Sequence, residues 1–254
     1  MNITPEGTLK CRARISQISD PLLADGFLGG PPQMPIHLTF DDGPGPSTGA
    51  LMDVLARYGV RATFFIVGKD VDTDARTRLA DAIRYGHEIG NHTHSHKLDQ
   101  TENEFLGDVQ RCDAVIAGLY EEAGQKQSRQ PRIRLPYGIQ FRNSRALYRG
   151  LFLAESIVLD PRLNLLASIG RSHFHWTNDT DDWRKDATAE SILSRLVDHA
   201  TKMERAHLNS VMLLHDSKEQ VAPPAKTRTV AALEQFLPFA RAQNWQFLAP
   251  TFEG

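Results

Sequence analysis

Cysteine is scarce in this chain: Cys11 and Cys112 stand far apart in 254 residues and form no zinc or redox motif. No stretch approaches the roughly 20 apolar residues that a membrane-spanning helix needs. Charge of one sign is also missing. The formal net charge is −2, and no run of five or more lysines and arginines occurs, so no global field draws the chain to nucleic acid or to an acidic membrane. The opening residues, Met1-Asn2-Ile3-Thr4-Pro5-Glu6-Gly7, lack the basic and apolar regions of a signal peptide, which gives the expectation of a cytoplasmic protein. There is no internal repeat and no low-complexity tract.

What is present is an ordinary globular composition, 41% hydrophobic and 24% charged, with enough chain for one sizeable core. A single α/β barrel commonly takes about 250 residues. Residues 1–33 are irregular and end in Gly29-Gly30-Pro31-Pro32; they read as an N-terminal extension or lid, with one domain over 34–254. Beyond them short apolar runs alternate with helical patterns. The expected strands are Ile36–Phe40, Ala62–Val67, His87–Gly90, Ile133–Leu135, His173–Trp176, Ser210–Leu214 and Trp245–Leu248. The expected helices are Gly49–Tyr58, Asp74–Tyr85, Glu102–Glu121, Ser144–Phe152, Thr188–Arg205 and Thr227–Ala242. Thr101 with Glu104 makes a capping box, and Gly59 follows Tyr58 as a helix stop. Cys112 falls in the series Phe105, Val109, Cys112, Ile116, Leu119, a helical spacing that predicts a buried thiol. Strand-then-helix alternation implies mostly parallel strands, with functional groups at their C-terminal ends.

Asp41, Asp42, His92, Pro136 and His215 all fall just after such strands. Asp41 and Asp42 are adjacent, and Gly43-Pro44-Gly45-Pro46 provides a sharp turn that exposes them. Beyond a strand end they can point in different directions, so one can bind metal while the other stays free. The bland reading is a polar turn. His92 and His96 face the same way if their segment turns helically, and with Asp42 they make a two-histidine, one-carboxylate set for a divalent metal. His94 is a competing ligand, although a helical turn points it away from the other two. His215 ends the apolar run Val211-Met212-Leu213-Leu214, where a lone histidine is more often a satisfied core residue than a catalyst. Asp182, before Trp183, is its candidate partner, since a carboxylate beside a histidine orients it and raises its pKa. Arg134 reads either as a strand-end cation or as the holder of a nearby carboxylate.

In order along the chain, Thr39-Phe40-Asp41-Asp42-Gly43, His92-Thr93-His94-Ser95-His96, Arg134-Leu135-Pro136-Tyr137, Asp182-Trp183 and Leu213-Leu214-His215 resemble the five motifs of the polysaccharide deacetylases. These are the family-4 carbohydrate esterases, which include rhizobial chitooligosaccharide deacetylases. The resemblance runs from about His37 to Leu248 and takes in Ala62-Thr63-Phe64-Phe65 and Gly86-His87-Glu88-Ile89-Gly90-Asn91. It implies a single-domain α/β fold, a distorted TIM-like barrel of seven or eight β/α units. It also implies a divalent metal, usually zinc, on Asp42, His92 and His96. Asp41 is then the general base, oriented by Arg134, and His215 the general acid, tuned by Asp182. Trp183 and Leu213 wall the acetyl pocket, and the backbone N–H of Tyr137 helps hold the oxyanion. Lys97 stands where the family often has proline, and segment 139–172 is longer than in minimal members; both bear on substrate choice rather than chemistry.

The expected activity is metal-dependent removal of acetyl groups from N-acetylglucosamine units, with an acetylated carbohydrate as partner. Three other readings stand beside it: an esterase for O-acetyl groups such as those of xylan, a hydrolase of non-sugar amides, and a catalytically silent glycan-binding protein. The last would ordinarily have lost the base, the acid or a ligand, and all are present.

Overall fold

The structure, a computed structural model, describes residues 35–138, 141–144, 147–148, 151–152, 156–216 and 224–248. The expected extension over 1–33 lies outside them. The first half of the fold runs β1 (Pro35–Gly43), α1 (Thr48–Tyr58), β2 (Thr63–Ile66), α2 (Thr73–Arg84), β3 (Glu88–Asn91) and α3 (Glu102–Glu122). Four short strands follow, β4 (Phe141–Ser144), β5 (Leu147–Tyr148), β6 (Leu151–Phe152) and β7 (Ser156–Leu159), then α4 (Pro161–Ser168). The chain ends with β8 (Asn178–Asp179), α5 (Ala189–Ala206), β9 (Ser210–His215), α6 (Pro224–Ala242) and β10 (Gln246–Phe247).

The strands stand in the order β3-β2-β1-β9-β8, all parallel, with β10 beside the start of β1. Beyond β3, Ile133 bridges Asn91 on one side and His173 on the other, both in parallel. The segment from His173 to Asp179 then closes the ring. The Phe174 N–H donates to the Ile133 carbonyl at 2.6 Å, and the Thr177 N–H donates to the Val211 carbonyl at 2.8 Å. This is the expected distorted (β/α) barrel, in which the closing segment is bonded to one neighbour at its start and to the other at its end.

Alternation along β1 sorts the residues. Ile36, Leu38 and Phe40 join the main apolar cluster with Leu51, Leu55, Leu196, Leu233 and Phe236 from the surrounding helices. His37, Thr39 and Asp41 take the opposite face and are buried too. A β-strand covered on both faces is normal in a parallel barrel. The interior holds the small cluster Phe65, Phe174 and Val211, packed by Trp176. Helix ends follow their sequence signals. Gly59 takes φ 64° at the end of α1, Thr101 and Glu104 form the capping box of α3, and Cys112 is fully buried. Among the described residues no helix is long and apolar enough to cross a membrane.

Two expectations are corrected. The helix expected over Ser144–Phe152 is replaced by strands: β4 pairs antiparallel with β7, and β5 with β6. Leu147 and Leu151 have helical spacing, but Leu147 pairs with Phe152 and Tyr148 with Leu151 across two strands of two residues each, too short to show a strand period. The helix α4 was not expected, although its start carries a clear signature. Pro161 occupies the first turn, and the Asp160 side chain accepts from the Arg162 N–H at 2.9 Å.

Candidate active site

Asp42 sits at the C-terminal end of β1 with φ 66°, a left-handed backbone that only special contexts sustain in a non-glycine residue. One carboxylate oxygen, Oδ1, lies 3.1 Å from His92 Nε2 and 3.0 Å from His96 Nε2. One donor atom from each residue lies within 4.8 Å of the others. The His92 Nδ1 is 2.8 Å from the Arg134 carbonyl. A carbonyl only accepts, so Nδ1 carries the proton and Nε2 is left with a lone pair facing Asp42. Burial opposes charge on Asp42, but the imidazoles of His92 and His96 against it outweigh burial and hold the carboxyl well below its usual range.

The segment carrying the histidines is not a helical turn. Thr93 and His96 have φ of 65° and 56°, and side chains fix the bend. Asn91 Oδ1 accepts from the Thr93 N–H at 2.7 Å, and Thr93 Oγ1 accepts from the His96 N–H at 3.1 Å. Asp108, on α3, accepts from both the N–H and the hydroxyl of Ser95 at 2.8 Å. The bend brings the His96 ring beside that of His92, with centroids 4.9 Å apart and the planes tilted. His94 packs elsewhere: a Cβ on Gly68 would come within 2.7 Å of its Nδ1. Two imidazole nitrogens and a carboxylate converging from two loops fit a divalent cation.

Asp41 stands beside this cluster, with Oδ2 3.8 Å from His92 Nε2. Its other oxygen accepts from Arg134 at 2.7 Å. The same guanidinium donates to Thr39 Oγ1 at 2.8 Å and, through Nε, to the Phe174 carbonyl at 3.0 Å. Arg134 has no exposed surface, and its guanidinium lies 4.2 Å from the Phe65 ring centroid. Burial works to lower its pKa and Asp41 to raise it, with burial ahead. A buried arginine fixed at several points leaves Asp41 little rotational freedom.

His215 faces Asp41 across the β1–β9 ladder, where the two are paired. Its Nδ1 is 2.7 Å from Asp182 Oδ1, and its backbone N–H donates to Asp182 Oδ2 at 2.9 Å. Thr229 on α6 donates to that second oxygen at 3.0 Å. Burial alone would lower the His215 pKa, but the Asp182 charge and hydrogen bond, with Asp42 and Asp41 behind, push it up to about 9.

These groups open into one cavity of about 220 Å³. All the residues to which the family resemblance gives a role line it, Tyr137, Trp183 and Leu213 included, except Arg134 and Asp182, which stand behind Asp41 and His215. Tyr137 has φ 63° and, like Trp183, is exposed. Sequence reasoning did not assign Trp176, Gly138 or Asp179 to the wall. Trp176 ends the strand expected at His173–Trp176, a position that could have flagged it. Gly138 is required by its contact: at φ 56°, a Cβ there would lie 1.7 Å from the Trp176 ring. Burial holds the Asp179 carboxyl above its usual range. Thr39 opens the first motif but had no role assigned to it, and Thr229 gave no signal at all.

The sequence pattern of the polysaccharide deacetylase family matches residues 29–152. The chain is 28% identical over 218 residues to a chitooligosaccharide deacetylase of Sinorhizobium fredii, covering 80% of this chain and 84% of that one. It is 27% identical over 214 residues to a peptidoglycan-N-acetylglucosamine deacetylase of Bacillus cereus, covering 84% of each. It also resembles the crystal structure of the catalytic domain of a peptidoglycan N-acetylglucosamine deacetylase from Eubacterium rectale. That likeness has a TM-score of 0.64 at 26% identity, over 91% of this chain and 94% of the other.

Proposed function

The chain belongs to the polysaccharide deacetylase family, and from that premise we propose that it is a metal-dependent hydrolase removing acetyl groups from N-acetylglucosamine units of oligo- or polysaccharides. One observation carries the reading. A three-donor cluster, a carboxylate fixed by a buried arginine, and a histidine fixed by a buried carboxylate share one cavity. Asp42, His92 and His96 would hold the metal, and two imidazoles with one carboxylate suit zinc. When bound, such a metal acidifies water and polarises a carbonyl oxygen.

The chain's own groups supply the rest. Asp41 accepts the proton of the attacking water, and Arg134 keeps its free oxygen turned into the cavity. Charge that builds on the acetyl oxygen is met by the Tyr137 N–H. An amine leaves poorly unless protonated, and His215 delivers that proton to the nitrogen as the C–N bond breaks. The raised pKa of His215 keeps the proton on the ring at neutral pH. Trp183 and Leu213 border the space for the acetyl methyl. The domain over 34–254 contains every group in this scheme.

The test is acetate release from N-acetylglucosamine oligomers of graded length by zinc-loaded protein, with Asp41→Asn as the blank. Release by the intact chain alone supports N-deacetylation, and its dependence on length maps the groove. Release only from acetyl esters would transfer the site to O-deacetylation. Tight sugar binding with no turnover would leave a glycan-binding protein.

A further inference from the structure

A second cavity, of about 350 Å³, lies where two barrel strands begin. Its walls come from Arg129 to Ile133, which lead into the strand carrying Arg134, and from Gly170 to Phe174, which lead into the segment carrying Trp176 and Asp179. Both strands therefore enter the barrel at this cavity and leave it at the other. The two cavities share no lining residue.

Three arginines line the second cavity, Arg129, Arg132 and Arg171, together with Ser172. Among the described residues its lining contains no carboxylate. Acids that pair with these arginines are absent from the lining. Glu88 accepts from Arg129 at 3.1 Å and from Arg132 at 2.7 Å, while Asp113 accepts from Arg171 at 2.9 Å. The Arg132 and Arg171 side chains are 7% and 8% exposed, so both charges are held away from water; Arg129, at 39%, reaches the cavity from the surface. Arg132 is also fixed from below, 5.0 Å from the Phe174 ring centroid. Burial first, and then the charges of Arg132, Arg134 and Arg129, push the pKa of His37 down to about 3.

We propose that this cavity binds a phosphate-type oxyanion, either free phosphate or the phosphoryl group of a small sugar phosphate. A planar guanidinium matches such an anion with paired N–H donors, and a preformed group of them loses little freedom on binding. The volume is at the small end of ligand sites, which suits an anion with at most one sugar ring attached.

The experiment is calorimetric titration of the full chain, washed with chelator and dialysed, first with inorganic phosphate and then with N-acetylglucosamine 1-phosphate. The variants are Arg129→Gln, which leaves the Arg132–Glu88 pair in place, and Asp42→Ala, which disables the cation cluster in the other cavity. Saturable binding is expected in the intact chain and in Asp42→Ala, with Kd raised about tenfold or more in Arg129→Gln, the scale of a charge-assisted hydrogen bond. Circular dichroism of each variant confirms that it is folded. Tighter binding of the sugar phosphate identifies the phosphoryl group of a metabolite as the ligand; equal binding identifies free phosphate. Absence of heat at millimolar phosphate, an equal effect from sodium chloride at matched ionic strength, or binding lost in Asp42→Ala and kept in Arg129→Gln overturns the site.

Discussion

Each side of the candidate active cavity holds an aspartate against histidine, and the two sides are built for different work. On one, a single Asp42 oxygen is shared by the Nε2 atoms of His92 and His96 at 3.1 and 3.0 Å. His92 has already spent its Nδ1–H on the Arg134 carbonyl. On the other, Asp182 binds the Nδ1 of one histidine only, and its second oxygen is taken by the His215 backbone N–H and the Thr229 hydroxyl. The first arrangement gathers lone pairs around a point, as a cation requires. The second surrounds a carboxylate with donors and keeps a proton on the ring. Residue types alone do not separate the two; the ring nitrogen used and the remaining partners of the carboxylate do.

Substitutions on the first side should have the largest effect. Asp42→Ala or His96→Ala reduces three candidate ligands to two, and metal and activity are expected to disappear together. Elemental analysis of washed protein alongside acetate release checks this. Full metal content in either variant would sink the ligand assignment. Next in size are Asp41→Asn and His215→Ala, which should leave the metal in place and cost on the order of 10²–10⁴-fold in rate, the usual scale for acid–base groups. Rates within a few-fold of the intact chain would remove those residues from the mechanism.

The two sides were not equally legible in the sequence. The Asp41-Asp42 pair, the histidine-rich fragment and the terminal histidine of β9 are short-range signals, each at the end of an apolar run whose strand assignment holds. Barrel topology explains why: the ends of parallel strands meet, so position along each strand translates into position in space. The turn geometry was not legible. A helical turn would present His92 and His96 together, yet the chain reaches the same juxtaposition through left-handed residues at Thr93 and His96, stabilised by Asn91 and Asp108. Asp108 lies on a helix, and no local pattern ties it to the bend. Thr229 is likewise 47 residues from Asp182 in sequence. The stretch after Tyr137 failed because Leu147 and Leu151 mimic one face of a helix, while the two-residue strands that hold them are too short to show a period. Polar residues on long-range hydrogen bonds, and short strands with too few residues to show a period, are where a sequence carries least information.

Asp182→Asn tests the second side through pH. His215, held at about 9 in the folded chain, acts as an acid only while protonated, so the rate should fall as pH rises through that region. Without the Asp182 charge burial dominates, and the alkaline limb of kcat/KM should move down toward the ordinary histidine range near 6.5 or below it. Stability follows the same sign. A histidine pKa raised by folding stabilises fully below its unfolded value, about 6.5, and that contribution is lost as pH rises toward 9. Urea midpoints of the metal-free chain should therefore decline from pH 6 to pH 9.5 more steeply than those of Asp182→Asn. An alkaline limb in the same place for both proteins would show that Asp182 does not govern His215.

The smallest expected effect separates a partner that sets the charge from one that only steadies it. Thr229→Val keeps the shape of the side chain and removes a single donor, 3.0 Å from Asp182 Oδ2. That oxygen still accepts from the His215 backbone N–H, so the carboxylate stays satisfied and faces the ring as before. The loss should be about 1 kcal/mol in stability, the net worth of one neutral donor's hydrogen bond. Asp182 keeps its full charge, and one fewer donor makes it if anything a stronger acceptor, so the alkaline limb should not move down. Rates within a few-fold of the intact chain, with the limb unmoved or slightly higher, would leave Asp182 as the group that controls the histidine. A hundredfold loss would mean instead that the position of Asp182 depends on α6, and that the second side of the cavity is held together from outside the barrel.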